Sequence, residues 1–203
     1  MTLRRLALLL SCLVLIPAGA TETVACACCT NAGQRLTATV KLDSGRRDQI
    51  KALRFAAEAK LFLGEADLDS VRGITTPAER YTLATAWHDN RLVFTFRDEG
   101  GRTGTLSLAL PDTVSLFEVD PRTAPEQDRG PSLYKEWTLA AASAGSGIFQ
   151  AGLGPRQRLT LVLHGTGNAC TSADDFSHWT LLMAGPKGSY ALFGELVSSR
   201  TTR

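Results

Sequence analysis

The feature that most constrains this chain is an alternation of apolar and polar residues that recurs from Gln34 onward. Successive side chains of a strand point to opposite faces, so an apolar residue at every second position marks a half-buried strand. Leu36, Ala38, Val40 and Leu42 alternate with Thr37, Thr39 and Lys41. Leu92, Phe94 and Phe96 alternate with Val93 and Thr95, and after Asp98-Glu99-Gly100-Gly101 the pattern resumes at Leu106, Leu108 and Leu110. Those two runs and the turn between them read as a hairpin. Further strands are expected around Trp137, Leu139 and Ala141, at Leu159, Leu161 and Leu163, at Trp179, Leu181 and Met183, and from Tyr190 to Val197 after a Gly185-Pro186-Lys187-Gly188 turn. Many short strands separated by Gly and Pro favour a mostly β, single-domain antiparallel β-sandwich or up-and-down β-barrel.

Two stretches break the pattern. Residues 48–60 fit a helix through Ile50, Leu53 and Ala57 as well as a strand through Leu53, Phe55, Ala57 and Ala59, with the second half favouring a strand. Asp120 to Ser132 is polar and Pro-containing, without periodicity, and reads as a long surface loop.

The first twenty residues have the organisation of a cleavable export signal. Arg4 and Arg5 precede an apolar run from Leu6 to Ile16, and Ala18-Gly19-Ala20 ends in a small-x-small pattern, so the mature chain is expected to begin at Thr21. The run is too short for a membrane-spanning helix, which needs about twenty residues. A lipoprotein site at Leu9-Leu10-Ser11-Cys12 fits less well, because the apolar run continues past Cys12; a twin-arginine signal fits less well because the region before the pair is so short. The resulting organisation is a signal at 1–20, a cysteine-containing tail at 21–33 and a β domain over 34–203, periplasmic or extracellular. Lys and Arg number 22 against 20 Asp and Glu, and the signal carries off two of the basic residues. A balance near zero excludes the electrostatic footprint of a nucleic-acid binder.

The most distinctive motif is Cys26-Ala27-Cys28-Cys29; Cys170 is the only other cysteine past the signal. In an oxidising compartment four cysteines imply two disulfides. Any complete pairing joins Cys170 to one of Cys26, Cys28 and Cys29 and leaves the other two to close a very tight ring, a strained and reducible arrangement. The expectation is therefore one long staple to Cys170. The same crowding makes Cys26, Cys28 and Cys29 candidate thiolate ligands for a soft metal, copper or zinc.

The segment from His164 to His178 gathers two of the three histidines and Cys170. Three chemistries are weighed against it. The order His88, Cys170, His178, Met183, with four residues between the last two, resembles the copper-ligand loop of cupredoxins, and the resemblance implies a copper site on those four residues. Met183 is also in phase with Trp179 and Leu181, the phase of a core residue. Cys170 with His164 or His178 as base and Asp174 or Asp175 as orienter has the residue types of a nucleophilic triad. Calcium would fall to Asp174 and Asp175, or to Glu65, Asp67 and Asp69, but neither group has the full ligand spacing. The plain alternative has both histidines exposed at strand ends. No phosphate loop, haem motif, zinc-protease helix or serine elbow occurs, so no catalytic residue is assigned and the reading is a binding module, or a structural and interaction domain with no ligand.

Overall fold

The computed structural model describes residues 30–122, 132–168 and 172–197. Cys12, Cys26, Cys28, Cys29 and Cys170 lie outside them, as does the expected cleavage site.

Eleven strands are described: β1 (Arg35–Lys41), β2 (Glu58–Phe62), β3 (Arg80–His88), β4 (Arg91–Arg97), β5 (Thr103–Ala109), β6 (Thr113–Val119), β7 (Leu133–Ala142), β8 (Ala144–Gly147), β9 (Arg158–Gly167), β10 (Phe176–Ala184) and β11 (Tyr190–Glu195). All pair antiparallel in a single sheet of order β1-β6-β7-β9-β10-β11-β2-β3-β4-β5-β8. The sheet does not close, and neighbours such as β1 and β6 or β11 and β2 are far apart in sequence. This rules out the up-and-down barrel and leaves the sandwich-like form of the expected all-β fold.

The sheet folds over on itself. Phe94 of β4 and Trp179 of β10 stand four strands apart in the order, which in a flat sheet is about 19 Å. Their ring centroids are nevertheless 5.7 Å apart, with Phe55 against both at 5.3 and 5.8 Å. The alternating apolar residues supply this interior. Leu92, Phe94, Phe96, Leu106, Leu108, Leu139, Leu161, Leu163, Trp179 and Leu181 are all fully buried. The β4–β5 turn forms where expected: the Asp98 carboxylate accepts the Arg102 backbone N–H at 2.9 Å, and Gly101 takes φ +79°.

Residues 48–60 divide between the two readings. A helix, α1 (Ser44–Ala52), starts earlier than the apolar pattern showed, because the Asp43 side chain accepts the Arg46 N–H and caps it. The second half is extended, with Phe55 bridging Leu196 and β2 beginning at Glu58. Asp120 departs from the expected surface loop, since it is completely buried. No helix among the described residues is long and apolar enough to cross a membrane.

Candidate functional site

His164 and His178 do not lie in a loop or at strand ends. β9 runs on to Gly167, so His164 sits inside it, directly opposite His178 of β10. Leu163 and Trp179, opposite one another, point into the core, and the alternation turns both imidazoles to the outer face. The rings stack with centroids 5.5 Å apart and planes 23° from parallel. His178 is exposed and His164 half-buried.

The pair occupies the middle of a row that crosses five strands. Phe117 of β6 faces Glu136 of β7, Glu136 faces His164, His164 faces His178, and His178 faces Glu195 of β11. Tyr134 donates its hydroxyl to Glu136 Oε1 at 2.5 Å and tilts its ring towards His164, with centroids 6.5 Å apart. Burial, with the bond to Glu136 added, pushes the Tyr134 hydroxyl up to about 12, so it stays a donor at neutral pH. Burial and then the nearby His178 lower the pKa of His164, while Glu136 pulls the other way. The net direction favours neutral imidazole, the form that binds metals and accepts protons. The Ser177 hydroxyl lies 2.8 Å from His178 Nδ1 and fixes that ring from one side.

The opposite, inward face of the same strands carries a second polar group. Lys135 is in phase with Trp137 and is buried; its Nζ lies 2.7 Å from Asp175 Oδ2. Glu118, opposite Lys135 on β6, is buried too, and its Oε1 has no hydrogen-bond partner among the described residues. Burial raises the Glu118 pKa against the pull of Lys135, and Asp175 adds to the rise. Gly165 and Gly167 of β9 make room for this group, because a Cβ on Gly167 would overlap the Asp175 carboxylate and one on Gly165 the Asp175 backbone carbonyl.

The residues of the copper reading do not converge. His178 and Met183 are five positions apart on one strand and therefore face opposite sides, Met183 packing in the core at 1% exposure. His88 is at the outer end of β3, three strands from β10 in the sheet order. Cys170 lies outside the described residues. The candidate triad fares similarly: Asp175 is engaged with Lys135 on the inner face, away from both imidazoles, and Asp174 is an exposed residue of the 3-10 turn Ala173–Asp175. Glu65, Asp67 and Asp69 are exposed around the turn Leu68–Ser70. Among the described residues no three His, Cys, Asp or Glu side chains cluster closely enough to hold a metal ion.

The described residues that lead towards the two cysteine segments share one end of the sheet. Thr30, next to Cys29, donates from Oγ1 to Asp120 Oδ2 at 3.3 Å, and Gly33 donates its N–H to the Asp120 carbonyl at 3.0 Å. Asp120 follows the last residue of β6, where Arg35, Val119, Tyr134 and Thr166 line up across β1, β6, β7 and β9. The chain leaves β9 towards Cys170 at that same end, two strand spacings from β6, or about 10 Å.

The chain is thus a mostly β protein built on one folded antiparallel sheet. No family model matches it, and no match was found among curated proteins or solved structures.

Proposed function

We propose that this chain is an exported, non-catalytic binding module whose N-terminal cysteine segment is stapled to Cys170 and whose two remaining thiols, once reduced, take a soft metal ion. The observation that carries the reading is the attachment of Thr30 and Gly33 to Asp120 at the end of β6, beside the end of β9 from which the chain runs to Cys170. Cysteines can be bridged when their Cα atoms come within about 4.4–6.8 Å. Cys170 lies three residue steps beyond Gly167, a reach of about 10 Å when extended, which matches the gap between the two strand ends. The staple consumes one thiol of Cys26, Cys28 and Cys29, and the other two are left to a tight, easily reduced ring. Two neighbouring thiolates suit a soft ion such as copper(I).

The test is a copper(I) titration against a competing chelator after mild reduction, on the wild type and on a variant with Cys26, Cys28 and Cys29 all changed to Ser. Tight binding is expected in the wild type alone. Equal, weak affinity in both removes the metal from the reading and leaves the staple.

A further inference from the structure

We propose that His164 and His178 form a two-imidazole chelate for a divalent transition-metal ion, zinc(II) or copper(II), on the outer face of β9 and β10. The site is separate from the thiols: it lies on the face of the sheet, uses borderline nitrogen ligands in place of soft sulfur, and needs no reduction.

Three features of the pair support it. The two residues are direct partners in the β9–β10 ladder, so the backbone holds both side chains on one face at a defined separation. Their ring centroids are 5.5 Å apart, a separation that lets one ion reach a nitrogen of each ring at the 2.0–2.1 Å typical of zinc–imidazole bonds once the two rings turn their nitrogen edges towards it. The outer contact by which ligating histidines are oriented is present at one of the two rings. His178 Nδ1 meets the Ser177 hydroxyl, an outer contact that fixes the ring and leaves Nε2 available. No ring nitrogen of His164 has a hydrogen-bond partner among the described residues.

The surroundings favour a cation. Glu136 flanks His164 in the row and Glu195 flanks His178. His178 is exposed, so an ion can reach its ring from solvent, and on the side away from His164 the ring borders a depression lined by Glu58, Lys60, Phe193 and Glu195. With only two imidazoles converging, water completes the coordination shell.

The experiment is calorimetric titration of the full chain with zinc(II) at neutral pH, after free thiols have been capped with iodoacetamide without prior reduction. Wild type, His178→Gln and His164→Gln are compared. His178 is exposed, so His178→Gln folds and keeps the test decisive. One zinc(II) site is expected in the wild type, weakened roughly tenfold or more in each variant. Binding that is unchanged in His178→Gln, or absent from the wild type, overturns the proposal and reduces the pair to a stacked cross-strand contact. Because the thiols are capped, neither result bears on the copper(I) reading.

Discussion

Lys135 Nζ lies 2.7 Å from Asp175 Oδ2 with both side chains shut off from solvent, at 3% and 1% exposure. Glu118 stands on the other side of the same lysine, so one buried cation serves two carboxyl groups. Lys135→Met takes this cation away from both acids, and a loss of roughly 3–5 kcal/mol is expected. Asp175→Asn should cost less, because Glu118 remains as partner to the lysine. Urea midpoints of the two variants decide this; a smaller loss for Lys135→Met than for Asp175→Asn would show that the lysine is not the hub.

Gly167 is expected to resist substitution although its neighbours in β9 vary in size. The space a Cβ would occupy is filled by the Asp175 carboxylate, itself held by Lys135. Gly167→Ala therefore forces the ion pair apart, with an expected destabilisation of roughly 1–3 kcal/mol. Thermal unfolding of Gly167→Ala beside Thr166→Ala, an exposed position in the same strand, checks it: similar small effects would mean the carboxylate moves aside freely.

Two buried acids should shape the pH profile in opposite directions. Arg122 hydrogen-bonds the Asp120 carboxylate and holds its pKa at about 2, below the ordinary 3.8. A lowered acid stabilises the fold above its unfolded pKa, and that stability is lost as pH falls from about 4 towards 2. Asp120→Asn should flatten this acid limb. Glu118 is raised above its ordinary 4.5, so its contribution is complete below that value and is lost as pH rises through the folded pKa. Glu118→Gln should thus stabilise the protein at neutral pH and do little near pH 4. Denaturation midpoints of both variants at pH 3, 4 and 7 test the signs, and parallel profiles for wild type and variants would contradict them.

Removing the proposed staple to Cys170 should weaken the fold. Cys170→Ser is expected to lower stability by roughly 2–5 kcal/mol under non-reducing conditions, the range for a bridge that closes a long loop. The same substitution measured in strong reductant should have almost no effect. An unchanged midpoint without reductant would mean that Cys170 is free.

The strands were legible in the sequence because their signal is local: Leu92, Phe94 and Phe96, or Leu159, Leu161 and Leu163, announce an inward face within a few residues. The histidine pair was not read from the sequence, which set both rings in a connection at strand ends; only the strand register brings it out. Setting Leu161 opposite Leu181 and Leu163 opposite Trp179 in an antiparallel hairpin forces His164 opposite His178, and the ladder has that register. Lys135 likewise stood two residues before Trp137, in the core phase, but a charged side chain at such a position has meaning only once its counter-ion is known. That counter-ion, Asp175, comes from 40 positions away and Glu118 from a strand with no strong alternation of its own. Local periodicity thus determined which residues point inward. Which distant strands became neighbours, and so which charges could be buried together and which glycines had to make room for them, was decided by tertiary packing, because pairing between remote strands depends on how the whole sheet folds over its core.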